Sequence, residues 1–168
     1  MLTMVGSMCA MMAHAAATSG LGFGSVIRWA YDRFQKVTGG TPYPFRPGAL
    51  PPGVRTPSAT LDLQVGELVR IKDYKDVLDT LDQEWRNRGL YFDAEMAPFC
   101  GGTYRVLRRV ERIIHEGTGK MLTFKTPAVI LDGVACKARY AKHRKFCPRA
   151  YYQYCREVWL ERMTDRES

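Results

Sequence analysis

Three cysteines stand at breaks between strand-like runs: Cys100 in AEMAPFCGGTY, Cys136 in ILDGVACKARY and Cys147 in KHRKFCPRAYY. Loops at the ends of separate strands can carry such residues to one point, where thiolates hold a tetrahedral zinc ion. His143, four residues before Cys147, is the candidate fourth ligand. A site of that kind would add stability to a small domain directly. The spacing matches no paired CxxC arrangement, so buried thiols that pack like small hydrophobes are the competing reading. Three cysteine ligands with an unsettled fourth would also describe an open metal position of the sort catalysis needs. Cys147 precedes Pro148 in a basic loop, where cations favour a thiolate, and such a pair can serve as an axial ligand to haem iron. Iron or haem is therefore the alternative cofactor to zinc.

Asp93 and Glu95 in FDAEM lie two apart, so in an extended segment both point to one side. Two carboxylates can divide acid and base roles where burial separates their pKa values. They can equally form structural salt bridges with Arg86, Arg88 or Arg105, and no His or Ser nearby completes a catalytic set. The run from Lys137 to Arg149 concentrates positive charge, with Lys142, Arg144, Lys145 and Arg149 as the candidate anion-binding residues. Tyr140, Phe146, Tyr151, Tyr152 and Tyr154 are interleaved with it or follow it, offering stacking surfaces beside phosphate-seeking cations. A solvated loop is the plain alternative. Nucleic acid as a partner rests on composition alone, because no matching fold signature accompanies the run. His115, beside Glu116, reads as a solvated hairpin residue. No phosphate-cradling glycine loop, nucleophile elbow or HExxH motif occurs.

The elements that must position these residues begin near Leu61. LQVGELVRIK reads as a strand. DYKDVLDTLDQEWRNRG then sets Tyr74, Val77, Leu78, Leu81 and Trp85 on one helical face, with Asp73 as N-cap and Gly89 as the stop. TYRVLRRVERIIHE and KMLTFK form a hairpin around EGTGK, AVILDGVAC is a further buried strand, and YCREVWLERM is the last. In that last strand Arg156, Val158, Leu160 and Arg162 face one side, and Cys155, Glu157, Trp159 and Glu161 the other. The pattern predicts a mainly β fold over residues 61–163: a small SH3-like barrel with one inserted helix. A five-stranded oligonucleotide-binding barrel is its rival.

Upstream, residues 25–37 carry an amphipathic helix with Val26, Ile27, Trp29, Ala30 and Phe34 between charges. Residues 38–60 hold six of the nine prolines and read as an extended linker that uncouples what precedes it from the barrel. Met1 to Ile27 contain no Lys, Arg, Asp or Glu. Glycines, serines and threonines interrupt this stretch, so residues 1–24 read first as a mobile extension and second as a membrane-surface or partner-docking helix. A true span or cleaved signal comes third. Residues 164–168 form a tail.

Five cysteines without framework spacing fit a reducing, cytoplasmic setting better than a secreted disulfide scaffold. A net charge of +8 implies attraction to something anionic.

The phrases VGELVRIK, RNRGLYFDAEM, CGGTYRV, TGKM, FCPRAYY and REVWLER resemble a family of small, largely uncharacterised bacterial proteins associated with polysaccharide and specialised-metabolite gene clusters. The resemblance covers about residues 61–163. It extends to Arg88, Gly89, Asp93, Glu95, Cys100, Gly101, Gly102, Tyr104, Arg105, Cys136, Cys147, Pro148 and Arg149. The family pattern has Trp where this chain has Cys155, which argues against Cys155 as a ligand. The expectation is a metal-stabilised accessory or binding module of a biosynthetic pathway, its basic aromatic face meeting a protein or small anionic partner. The alternative is a metal-dependent enzyme of specialised metabolism that uses Asp93 or Glu95 to move a proton.

Overall fold

The computed structural model describes residues 23–115, 117–140 and 151–163. Helix α1 (Phe23–Thr38) forms where the apolar spacing predicts it and ends where Gly39 turns to φ 68°. Residues 40–63 then run extended without helix or strand, as their prolines require.

This segment does not uncouple α1 from the domain. Ala49 and Leu50 donate their N–H groups to Leu78 O and Leu81 O at 3.0 and 3.1 Å. Gln83 Nε2 donates to Gly48 O and Leu50 O at 2.9 and 2.8 Å, and the Trp85 indole N–H donates to Arg46 O. Gly48 lies so close to the Leu81 and Asp82 backbone that a Cβ would overlap it. The prolines remove helix and sheet options, and the carbonyls left free are taken by the domain.

Strand β1 (Leu68–Ile71) buries Val69 and Ile71. The helix expected through residue 89 is short: α2 spans Tyr74–Leu78. Side chains compete with the helical ladder immediately beyond it. Asp82 Oδ1 accepts the N–H groups of Glu84 and Arg86 at 3.0 and 2.8 Å, and Asn87 Nδ2 donates to Thr80 O and Pro57 O at 3.0 and 2.9 Å. The chain instead makes the hairpin β2 (Arg86–Asn87) and β3 (Leu90–Tyr91), with Arg88 and Gly89 at φ 49° and 78°. The expected apolar face is nevertheless buried in full: Tyr74, Val77, Leu78, Leu81 and Trp85.

A 3-10 helix (Ala94–Phe99) leads to β4 (Thr103–Ile114), which pairs antiparallel with β5 (Met121–Ala135). β5 joins the two strands expected at KMLTFK and AVILDGVAC. Pro127, which donates nothing to a ladder, falls within the register shift between the Arg112–Thr123 and Val110–Ala128 pairs. The expected last strand divides into β6 (Tyr152–Arg156), a 3-10 turn (Glu157–Trp159) and β7 (Leu160–Arg162). Alternation is lost there, and Cys155 through Leu160 are all buried.

The fold is mostly β. Its main sheet has five antiparallel strands in the order β6-β5-β4-β1-β7, with β6 and β7 as the edges. Trp159 fills the core, where it meets Phe92 edge-on at 5.2 Å and donates its indole N–H to Thr80 Oγ1 at 2.9 Å. Among the described residues no helix is long and apolar enough to cross a membrane.

Candidate functional site

The 3-10 helix at Ala94–Phe99 is set by its cap. Asp93 Oδ1 accepts the Glu95 N–H at 2.9 Å, and Pro98 fits within the short turn. Met96, Ala97 and Phe99 anchor the helix in the core. Its exit is fastened to β1: Gly101 N–H donates to Ile71 O, and Ile71 N–H donates to Gly102 O, both at 2.9 Å. Gly101 has φ 78°, and a Cβ at Gly102 would overlap the Tyr104 hydroxyl. These two glycines let the chain reverse while Tyr104 folds back over it.

The reversal leaves a cleft of about 230 Å³ lined by Glu95, Pro98, Phe99, Tyr104, Lys137 and Arg139. The segment after β5 forms its other wall. Lys137 sets its ammonium 5.4 Å from the centre of the Phe99 ring, and Phe99 meets Tyr104 edge-on at 6.0 Å. Glu95 is buried. Its Oε1 accepts the Tyr140 N–H at 2.6 Å, and its Oε2 has no hydrogen-bond partner among the described residues. A line of aromatic edges, Tyr31–Tyr43–Phe45–Tyr140, runs from α1 to this wall with centroid separations of 6.4, 5.8 and 5.9 Å.

Of the predicted carboxylates, only Glu95 lines the cleft. Asp93 caps the 3-10 helix and does not line the cleft, so the two carboxylates do not project together from an extended segment. Burial pushes the Asp93 carboxyl up to about 6 against the pull of the Glu95 N–H, with the Glu95 charge adding to the rise. The salt bridges expected with Arg86, Arg88 or Arg105 do not form. Arg88 bonds to Thr56 and Ser58, and Arg105 to Gly66 O.

Cys100 caps the 3-10 helix, packs against the core and lies 3.8 Å from Met96 O. Burial, with Asp73 nearby, pushes its thiol up to about 12. Cys136 is half-buried at the end of β5 and donates its N–H to Tyr151 O at 2.8 Å. Their chain neighbours Phe99 and Lys137 both line the cleft, whereas neither cysteine does. Cys155 is fully buried in the core, and that burial raises its thiol. Cys147, His143, Lys142, Arg144, Lys145 and Arg149 lie outside the described residues. Among those described, no group of three or more His, Cys, Asp or Glu side chains is arranged to hold a metal ion. His115 bonds through Nδ1 to Thr118 Oγ1 at 2.9 Å in the β4–β5 turn.

Sequence reasoning missed Phe99 and Pro98 as cleft walls, and Phe45 as the aromatic link to Tyr140. The only signal for the first two was their position beside Cys100. Phe45 lies in a proline-rich stretch that gives no sign of packing. No protein-family model and no curated protein matches the chain.

Proposed function

We propose that this chain is an accessory binding module whose cleft receives a group carrying both a hydrogen-bond donor and a negative charge. The observation that carries this reading is Glu95: a buried carboxylate with one oxygen unpartnered among the described residues, on a cleft whose other wall presents Lys137 and Arg139. A donor on the ligand would meet Glu95 while its anion meets the two cations. A volume of about 230 Å³ suits one sugar or side-chain-sized group, since sites for drug-sized molecules begin at roughly 300 Å³. Lys142, Arg144, Lys145 and Arg149 would extend the same basic aromatic face. Asp93 does not line the cleft, so in the enzyme alternative Glu95 alone would move the proton there.

The architecture is read as a small SH3-like barrel. Support comes from the strand order, in which β7 returns beside β1 after a meander through β4, β5 and β6, with a single 3-10 turn before it. In the same reading zinc joins the two walls, held by Cys100, Cys136 and Cys147 with His143 as fourth ligand. Support comes from Phe99 and Lys137, the chain neighbours of Cys100 and Cys136, which line one cleft. The setting implied by the sequence resemblance is a bacterial biosynthetic pathway.

A titration of the full chain with sugar phosphates, followed by backbone amide NMR, tests the binding reading. Shifts centred on Phe99, Tyr104 and Tyr140 that vanish in Glu95→Gln and in Lys137→Gln/Arg139→Gln support it. Shifts unaffected by those substitutions, or no binding by any member of the series, sink it.

A further inference from the structure

Helix α1 is amphipathic, yet it turns its polar side toward the protein. Its half-buried residues are Arg28, Asp32 and Gln35, one ridge at helical spacing. Asp32 accepts the Tyr43 N–H at 2.7 Å and pairs with Arg46. The opposite ridge, Val26, Ala30, Phe34 and Val37 with Ile27 beside it, faces out. Val26, Phe34 and Val37 are 64%, 63% and 81% exposed, and Trp29 on the flank is 66% exposed. Apolar stripes of amphipathic helices normally face a core, and an exposed one marks an interaction surface.

The charges on the helix decide what covers it. Arg33 and Lys36 border the stripe on the Trp29 side. The one carboxylate of the helix, Asp32, is engaged with Tyr43 and Arg46. A second copy packed antiparallel, stripe to stripe, would bring Arg33 and Lys36 against their own kind, and one packed parallel would set them against a flank that has no acid to answer them. An anionic lipid surface answers both features, with hydrocarbon against the stripe and headgroup charge against the cations. At about 24 Å the helix is too short to span a bilayer and suited to lie in its plane.

We propose that α1 docks in the interface of an anionic membrane, with Val26, Ala30, Phe34 and Val37 immersed and Arg33 and Lys36 at the headgroups. The arrangement matches interfacial helices: basic on the polar flank, aromatic and aliphatic on the other. The opposite anchorage through Asp32 would hold the cleft at the membrane surface.

The full chain tests this by co-sedimentation with vesicles of phosphatidylcholine alone and of phosphatidylcholine mixed with phosphatidylserine. Trp85 and Trp159 are buried, so a blue shift in emission reports Trp29. Binding to the mixed vesicles with that shift, and little binding to phosphatidylcholine, is the expected result. Phe34→Glu should abolish it, and Arg33→Gln/Lys36→Gln should weaken it about thirtyfold. Each side chain is exposed, so thermal melts of these variants should match the wild type. Equal binding to both vesicle types, or binding indifferent to Phe34→Glu, overturns the proposal. So does a dimer in sedimentation velocity that Phe34→Glu returns to monomer, with no vesicle bound.

Discussion

Glu157 accepts the backbone N–H of Leu61 at 2.6 Å, across 96 residues of chain. The same carboxylate takes the N–H groups of Asp62 and Leu63 at 3.2 and 3.3 Å, and Arg109 Nη1 lies 3.7 Å from it. Arg109 in turn bonds Asp62 Oδ1 and Leu63 O, both at 2.9 Å. One buried side chain thereby fastens the approach to β1 to the 3-10 turn before β7. Glu157→Ala removes the acceptor while three N–H groups and a guanidinium remain half-buried or buried. It should lower stability by about 3 kcal/mol in urea denaturation at neutral pH. An unchanged midpoint would mean that these bonds add nothing over their hydrated counterparts.

The proline-rich segment makes a second prediction. Deleting residues 1–57 removes the bonds that join Arg46, Gly48, Ala49, Leu50, Thr56 and Pro57 to α2, to Leu81, Gln83 and Trp85 beyond it, and to the β2–β3 hairpin. It uncovers Leu81 and Trp85 in the same step. That truncation should unfold at markedly lower temperature than the full chain, while one beginning at residue 40 should stay close to it. Equal melting temperatures for the two truncations would restore the segment to a passive connector.

What could be read from the chain follows from how local the information is. The β4–β5 hairpin was legible because its apolar alternation and glycine turn lie within one stretch. The α2 region was legible as a buried face, since Tyr74, Val77, Leu78, Leu81 and Trp85 are all in the core, but not as a conformation. Its ending depends on Asp82 and Asn87 bonding backbone groups, one of them on Pro57 thirty residues away. Glu157 shows the same limit. In CREVWL it reads as one polar position in an alternating strand, and its partners are far upstream. At the site, Glu95 could be named as a candidate, but its pairing with Tyr140 spans 45 residues and left no mark on the sequence.

Asp93 gives the fold a pH dependence of definite sign. Burial raises its carboxyl from 3.8 to about 6, so the native state holds the proton more tightly than the unfolded chain does. Its contribution to stability is therefore present below the unfolded value and is lost as pH rises through the folded one. The full effect is at most about 3 kcal/mol. Asp93→Asn keeps an oxygen to accept the Glu95 N–H and has no charge to desolvate. Denaturant melts across this window should show a flatter profile for the variant and a more stable protein at neutral pH. Parallel profiles for the two proteins would place the pH dependence elsewhere.

The metal reading has its own test. Protein purified without added metal should contain one zinc per chain by elemental analysis, and Cys136→Ser should lose it together with thermal stability. Iron in place of zinc, or a haem absorption band, would change the cofactor and keep the thiolate site. Metal-free protein that melts as cooperatively as the zinc-treated sample would leave Cys100 a core thiol, in keeping with its packing against Met96.

The basic face is tested by salt. Lys137 and Arg139 line the cleft, whereas Lys142, Arg144 and Lys145 belong to the adjoining run. If the cleft holds the anion and the run supplies a surrounding field, the two sets should fail differently. Lys137→Gln/Arg139→Gln loses charge-assisted bonds and should weaken sugar-phosphate binding at every ionic strength. Lys142→Ala/Arg144→Ala/Lys145→Ala removes longer-range attraction and should weaken binding chiefly at low salt, flattening the salt dependence while leaving thermal stability unchanged. Calorimetric titrations of both variants over a range of salt separate the two roles. A triple variant that matches the wild type throughout would show Lys142, Arg144 and Lys145 to be merely solvated, and would confine recognition to the walls around Glu95.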